Sequence, residues 1–319
     1  MKKFYQIFKN KYLQRLIRNQ NVANFHIKLK RPSNGSYVSF IPNVWLSLFF
    51  IIPIIIVLKI SFTENIIAIP PIGKLCTWTS EHILNIKINF ANYIRMIKDS
   101  YYISAFINSV GITTLTTFIC LLFGFPMAYG ICQTSSRTQL VLMRLLSISM
   151  WTATLIRVYA LINLLGSQGV LNSLLGFFEI SPIKFLGNYV TVCFGLVFCY
   201  LPYMILPIYS ILEKHDKSCI EAAYDLGCTP FRTLWQVTIP LCKGGIVTGC
   251  ILVFATTIGE FSIPELLGSS DTLMFGRILW TEFFNNLDWA MSCAMSIVMM
   301  VFIITPIYII QKRYIDLKE

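Results

Sequence analysis

Three charged side chains interrupt otherwise uncharged, strongly apolar stretches of this sequence. Arg157 lies within one stretch, Glu260 lies within another, and Glu265 follows near its end. A charge near the centre of a bilayer costs about 3 kcal/mol, so such a side chain usually faces a cavity or an oppositely charged partner. Glu260 therefore either lines a cavity that can hold a cation or forms an internal ion pair, for example with Arg157. Glu265 either lines the same cavity or ends a helix in solvent.

Neighbouring residues suggest how these charges are presented. Gly259 and Pro264 bracket the glutamates and can open a helix locally. Trp151 and Tyr159 can hold a cation on their ring faces, worth about 0.5–2 kcal/mol each, or can pack against neighbouring helices. Arg157 does not attract a cation; it either pins helices together or repels a cation backward.

A second candidate site is the mixed-charge segment EAAYDLGCTPFRTLWQVTIP at residues 221–240, which separates two uncharged runs. Ala222 and Ala223 favour a helix and let another surface approach closely. Gly227 can adopt the left-handed conformation that ends a helix, and the pair Thr229-Pro230 suits the start of the next one. These signals predict a helix–turn–helix hairpin.

The second half of this hairpin carries an apolar stripe at helical spacing, formed by Phe231, Leu234 and Trp235. Pro240 is expected to stop the second helix before the next apolar run. The stripe indicates a rigid hairpin that needs a partner; the alternative is an ordinary loop packed on its own bundle.

The composition indicates a membrane protein. Only 13% of the residues are charged, 55% are hydrophobic, and the mean hydropathy is +0.66. Soluble domains contain about 25% charged residues. The net charge of +11 would suggest nucleic-acid binding in a soluble protein, but the basic residues lie mainly in loops, so no nucleic-acid partner is expected. The ten cysteines form no C-x-x-C pair, so neither a disulfide framework nor a metal site is predicted.

Six predominantly apolar stretches are long enough to cross a bilayer, which requires about 20 apolar residues. They predict an all-α, polytopic protein with transmembrane helices at residues 40–60, 103–129, 145–165, 188–212, 244–267 and 289–311.

Basic residues predict the orientation of these helices. With both termini in the cytoplasm, the cytoplasmic segments hold eighteen Lys and Arg residues and the outer segments hold six. This positive-inside bias places the loop 213–243 and the tail 312–319 in the cytoplasm. The basic leader 1–39 either lies on the anionic membrane surface or is a partly disordered tail.

The hairpin closely resembles the coupling loop of ABC importer permeases, whose pattern is E-A-A, three residues, Gly, nine residues and I-x-L-P. The matching residues here are Glu221, Ala222, Ala223, Gly227, Val237, Ile239 and Pro240. In that family the loop docks into a groove of a separate ATPase subunit, which binds the ATP. The resemblance therefore implies that this chain needs no cofactor of its own.

Other segments resemble spermidine/putrescine permeases of the putrescine type, from about residue 40 to the end. The resembling segments are residues 151–152, 155–159, 259–261, 263–268, 276–277, 279–280, 282–286 and 288–289. The resemblance implies a type I ABC importer permease bundle in a bacterial inner membrane, which takes a polyamine from an extracytoplasmic binding protein. It also implies an ATPase subunit dimer, a second homologous permease and surrounding membrane lipid as partners.

For such a solute, the candidate pathway residues are Glu260, Glu265, Trp151, Tyr159, Arg157 and Asp288. Asp288 and Glu282 lie in a predicted outer loop, where each either contacts the binding protein or is solvated.

The nearest alternative function is the same kind of importer carrying iron(III), an opine or a phosphonate, although Glu260 and Glu265 disfavour an anionic solute. A passive channel or scaffold would not need the hairpin. A membrane enzyme has weak support, since no P-loop, H-E-x-x-H or G-x-S-x-G motif occurs.

Overall fold

The computed structural model divides the chain into two units, Met1–Ile56 and Val57–Glu319. The residues it describes are 35–66, 73, 76–78, 84–86, 89–214, 218–269 and 272–316. Most of the predicted basic leader, residues 1–34, lies outside the described residues, so its placement at the membrane surface stays a prediction.

The first apolar stretch is helical throughout. Helix α1 (Gly35–Leu46) continues through a π-helical turn (Ser47–Ile51) into α2 (Ile52–Ser61). Large apolar side chains are exposed on all sides of its described part, as in helices surrounded by lipid or by other apolar helices.

A short ribbon and a short helix follow. Strands β1 (Cys76–Trp78) and β2 (Leu84–Ile86) pair antiparallel, and α3 spans Ala91–Lys98. The ribbon was not predicted, but the rest of the regular structure described here is helical, so the all-α class is confirmed.

Three long helices form the main core. Helices α4 (Ser100–Gln133), α8 (Tyr189–Leu212) and α11 (Ile239–Ile258) pack against one another. At 1.5 Å per residue, even the shortest is about 30 Å long, which matches the hydrocarbon thickness of a bilayer.

Glycines allow this close packing. A Cβ on Gly124 or Gly249 would lie 2.8 or 2.7 Å from the buried side chain of Met204, which therefore fills the space between α4 and α11. A Cβ on Gly245 would lie 2.8 Å from the carbonyl oxygen of Pro207 and 2.9 Å from the Cα of Ile208, both backbone atoms of α8. Backbone cannot move aside as a flexible methionine can.

We expect Gly245→Ala to destabilise the protein by about 1–3 kcal/mol, the usual cost of overpacking a well-packed core. The measurement is thermal unfolding of the detergent-solubilised protein. Gly130→Ala is the matched control, because no atom lies within 4 Å of its added Cβ, and alanine favours a helix by up to about 1 kcal/mol. Equal melting temperatures for the two variants would contradict the close α8–α11 contact.

The third predicted span, 145–165, is not one helix. Helix α5 (Ser136–Trp151) ends before α6 (Thr154–Leu165), because Thr152 and Ala153 adopt extended backbone angles. Helix α7 (Val170–Phe177) follows after a short turn. The prediction was wrong here because neither Pro nor Gly marks the break, and the stretch is apolar on both sides of it.

The fifth predicted span, 244–267, starts and ends earlier in the structure. Helix α9 (Ser218–Asp225) precedes the turn, and α10 (Pro230–Thr233), a π-helical turn (Leu234–Thr238) and α11 then form one continuous helix. The helix breaks after Ile258 and restarts as α12 (Ser262–Leu267).

Pro240 does not stop the second helix of the hairpin, contrary to the prediction. It lies in the first turn of α11, where the N–H of Ile239 bonds to the carbonyl of Leu234 across the π-helical turn. A π-helical turn adds one residue between the donor and the acceptor of each hydrogen bond. This shifts the hydrogen bonds of the carbonyls before Pro240, so the helix accommodates the pyrrolidine ring of the proline.

The last elements pack on the start of α4. Helix α13 (Phe275–Trp280) continues through a π-helical turn (Thr281–Asn285), and α14 spans Trp289–Asp316. They form a second core with α4 and α11, whose buried members are Tyr102, Ala105, Ile258, Phe275, Ile278, Met291, Met295 and Met299.

The number of predicted spans is confirmed among the described residues. Six helical segments, one of which joins α6 and α7 across their turn, are long and apolar enough to cross a membrane: Phe40–Ser61, Ser100–Gln133, Thr154–Phe177, Tyr189–Leu212, Pro230–Ile258 and Trp289–Ile310.

Candidate solute site and coupling hairpin

Glu260 lies at a break between two helices rather than inside a span. The N–H of Glu260 still bonds to the carbonyl of Thr257, but α11 ends at Ile258 and α12 begins at Ser262. One carboxylate oxygen, Oε1, accepts the N–H of Ser262 at 2.8 Å and so caps α12. The other, Oε2, accepts the hydroxyl of Tyr200 from α8. Glu260 is partly buried as a residue, and both of its carboxylate oxygens accept hydrogen bonds from the protein.

Helix α13 holds this break in place. The ring of Phe261 stacks on Trp280, with centroids 4.3 Å apart and planes inclined by 6°. A Cβ on Gly276 would lie 2.9 Å from the carbonyl oxygens of both Gly259 and Glu260, so only glycine allows this approach without displacement. The break is therefore clamped between α8 on one side and α13 on the other.

Arg157 is buried but forms no ion pair with Glu260. Its side chain is 8% exposed, Nη1 donates to the carbonyl of Cys199 at 2.8 Å, and Nη2 donates to Oγ1 of Thr154 at 3.4 Å. No nitrogen of Arg157 lies within 4 Å of the Glu260 carboxylate. The ion-pair alternative for Glu260 is therefore absent, whereas the helix-pinning interpretation of Arg157 agrees with its bond to α8.

Glu265 forms an ion pair at the protein surface. Its side chain is 48% exposed and accepts the Nε–H of Arg277, whose Nη1 also donates to the carbonyl of Ser269 at 2.7 Å. This ion pair ties α12 to α13.

Trp151 and Tyr159 stand apart from the ring pair beside Glu260. Trp151, at the end of α5, is 90% exposed, and Tyr159 on α6 is also exposed. Neither ring belongs to the described cluster that contains Phe261 and Trp280. A cation–π role for them stays a prediction.

The two acidic residues of the outer loop are both engaged by the protein. Asp288 accepts the N–H of Met291 at 3.0 Å, and its other oxygen lies 3.6 Å from Nη1 of Arg95. Glu282 is buried and accepts the Tyr102 hydroxyl at 2.8 Å and the Asn286 amide at 2.9 Å. Neither alternative predicted for Glu282, solvation or contact with a binding protein, is compatible with this burial.

Two large grooves do not suit a charged solute. One, of about 840 Å³, lies chiefly between α11 and α14, and the other, of about 880 Å³, lies between α4 and α8. Both are lined mainly by apolar side chains and contain no carboxylate. Glu260 lines neither groove.

The hairpin is built as its sequence predicts. Gly227 has a φ of +80°, and its N–H donates to the carbonyl of Tyr224 at 2.8 Å. The N–H of Cys228 donates to the carbonyl of Ala223 at 3.0 Å. These two bonds form a Schellman motif, which ends α9. Thr229 caps α10 by accepting the N–H of Arg232 at 3.4 Å.

The hairpin exposes apolar side chains together with the matched acidic position. Phe231 is 72% exposed and Trp235 is also exposed, with ring centroids 6.3 Å apart, whereas Leu234 is partly buried. Glu221 and Ala222 are exposed as well, and Ala223 is buried. An ordinary loop packed on its own bundle would bury this stripe. The rings of Phe231 and Trp235 are instead exposed.

Comparison with known proteins identifies the chain. Residues 120–316 match the family described as binding-protein-dependent transport system inner membrane component. This chain belongs to that family of permeases. It is thus a multi-pass, inner-membrane transport protein with no enzymatic role of its own.

Individual relatives of the permease agree with this assignment. It is 34% identical over 79% of its length, and 84% of the relative's, to the spermidine/putrescine transport system permease protein PotB of Haemophilus influenzae. It is 31% identical over 79% of its length, and 88% of the relative's, to the PotB protein of Escherichia coli.

Solved structures share the fold of the permease. A bacterial ABC transporter involved in the import of the acidic polysaccharide alginate matches with a TM-score of 0.62 and 16% identity, over 86% of this chain and 94% of that one. The same kind of transporter in complex with a pentasaccharide-bound periplasmic protein matches with a TM-score of 0.61, over 84% and 91%. At this identity, the likeness concerns the fold, and it confirms the predicted ABC importer permease bundle.

Sequence reasoning missed the residues that surround Glu260. Tyr200 lies in a wholly apolar stretch and carries no local signal. Gly276 and Trp280 fall in segments that resemble the permease family, but only the fold reveals that they contact the break at Gly259 and Phe261.

Proposed function

We propose that this permease carries polyamines, such as putrescine or spermidine, into the cell. The observation that carries the proposal is the partly buried Glu260 carboxylate at a helix break between apolar spans, which forms no ion pair with a described basic side chain. An ammonium group that enters the membrane loses most of its water, and a carboxylate offsets that loss. The likeness to two spermidine/putrescine permeases supports the choice of a cationic solute.

The proposed machine contains further subunits. An ATPase dimer binds ATP and receives the exposed hairpin around Gly227, a second homologous permease completes the pathway, and an extracytoplasmic binding protein delivers the polyamine. Closure of the ATPase on ATP moves the hairpin and alternates access to Glu260 between the two sides of the membrane. This permease contributes no cofactor.

Uptake measurement tests the choice of solute. We expect a polyamine-auxotrophic host that expresses this chain with its partner subunits to accumulate labelled putrescine or spermidine and to grow on it. Competition by each unlabelled polyamine gives the preference between the two. Accumulation of iron(III), an opine or a phosphonate without polyamine uptake would refute polyamine import and support the corresponding alternative.

The topology prediction has a direct measurement. We expect reporter fusions at Thr229 and at both termini to be active on the cytoplasmic side, and fusions within 166–188 to be active outside, because the basic residues concentrate in the cytoplasmic segments. An external Thr229 would contradict both the orientation and the docking of the hairpin on an ATPase.

A further inference from the structure

We propose that Tyr200 is a positioning residue for Glu260: its hydroxyl holds the carboxylate while no solute is bound, and an incoming ammonium group displaces it. This inference rests on the proposed import of a cationic solute. It assigns the α8 helix a role in sensing the solute.

The hydrogen bonds of Glu260 are of two kinds. The bond from the N–H of Ser262 is local and closes the start of α12, so it persists wherever α12 moves. The bond from the Tyr200 hydroxyl joins the break to a different helix, 60 residues earlier in the chain. Only the second bond can report a change at the carboxylate to the rest of the bundle.

An ammonium group is a competent replacement for the phenol. A carboxylate oxygen accepts about two hydrogen bonds, and an ammonium group offers three donors together with a full positive charge. The phenol and the ammonium group both donate to a charged carboxylate, but only the ammonium group adds an opposite charge and hence a Coulomb attraction. Arg157 forms no ion pair with Glu260: its Nη1 and Nη2 donate to Cys199 and Thr154, and its buried Nε has no hydrogen-bond partner among the described residues.

The helix that carries Tyr200 is suited to transmit its release. Arg157 holds the carbonyl of Cys199, the residue directly before Tyr200. Pro202 and Pro207 lie inside α8, and each removes a backbone donor, so this helix can bend near Tyr200. Helix α8 packs along α11, and its end at Leu212 precedes the hairpin that begins at Ser218.

The test uses the assembled complex of this permease, its partner permease and the ATPase in lipid nanodiscs. Tyr200→Phe keeps the buried ring and removes only the hydroxyl. Tyr203→Phe is the matched control: it removes a hydroxyl from the same helix, 5.7 Å away between ring centroids, that has no hydrogen-bond partner among the described residues.

We expect Tyr200→Phe to raise ATP hydrolysis without solute by about tenfold, equivalent to ~1.4 kcal/mol, because the resting contact between the break and α8 is lost. Polyamine taken up per ATP should fall correspondingly. Tyr203→Phe should stay within about twofold of the unaltered complex on both measures, because it removes no hydrogen bond to Glu260 and keeps the ring contact with Tyr200.

A double variant separates positioning from simple packing. In a Glu260→Gln background, adding Tyr200→Phe should change the solute-free rate by less than about twofold, because the charged acceptor is already gone. An unchanged rate for Tyr200→Phe alone, or the same increase with and without Glu260→Gln, would overturn the inference. If the Tyr200→Phe complex does not assemble, Glu260→Asp is used instead, because its shorter side chain breaks the same contact. An unaltered solute-free rate in that variant would also overturn the inference.

Separate measurements test the Tyr200–Glu260 contact and the choice of solute. The solute-free rate requires no polyamine, so it tests the contact between Tyr200 and Glu260 even in a complex that transports something else. If the unaltered complex takes up no polyamine, displacement of Tyr200 by an ammonium group is refuted, whatever the solute-free rates of the variants.

Discussion

Glu260→Gln should lower polyamine uptake by about tenfold or more, which corresponds to a loss of ~1.4 kcal/mol for one charge contact. Glutamine has the size of glutamate, and its single carbonyl oxygen can still accept the N–H of Ser262, so the start of α12 should survive; its NH₂ group cannot accept the Tyr200 hydroxyl as the second carboxylate oxygen does. The amide cannot neutralise an ammonium group that has lost its water. Initial rates of labelled putrescine and spermidine uptake, normalised to permease abundance in the membrane, give the measurement.

Arg157→Gln, alone and combined with Glu260→Gln, is the control. The two side chains form no ion pair in this structure, so neutralising Arg157 should not rescue the Glu260 variant. Arg157→Gln alone should reduce abundance, because the carbonyl of Cys199 would lose its donor in a buried place. Restored transport in the double variant would show that Glu260 serves only as a structural partner of Arg157 and would refute its contact with the solute.

Gly227→Pro should leave the permease inserted but reduce co-purification of the ATPase subunit by about tenfold or more, equivalent to ~1.4 kcal/mol of docking free energy. Gly227 has a φ of +80°, whereas proline holds φ near −65°, so the turn between α9 and α10 cannot form. Proline also lacks the N–H that bonds to Tyr224. Pull-down of the tagged ATPase, together with transport-coupled ATP hydrolysis, measures the effect.

Two further variants grade this effect. Gly227→Ala places a methyl group in open space but keeps the N–H, so only the left-handed backbone penalty of about 1–2 kcal/mol applies and the defect should be milder. Glu221→Lys reverses an exposed charge on α9 without altering the turn and should also weaken docking. If transport and ATPase association both survive Gly227→Pro, the hairpin is an ordinary loop.

Features that depend on neighbouring residues could be predicted from the sequence. The number of spans follows from apolar length, because the thickness of the hydrocarbon core sets a minimum that six stretches meet. The turn at Gly227 and the cap at Thr229 follow from backbone preferences that act within four residues. The family resemblance also began from local spacing, at Glu221 and Gly227.

Only the tertiary structure decided which segments distant in sequence meet. Pro240 fits within a helix because a π-helical turn precedes it, and the third span breaks at Thr152, where no helix-breaking residue marks the site. Glu260 is held by Tyr200 instead of Arg157, and Glu282, predicted to lie in an outer loop, is buried against Tyr102. Hydropathy and propensity describe each segment by itself. The partner of a buried polar group depends on packing between segments, because most such groups find a hydrogen bond within the fold.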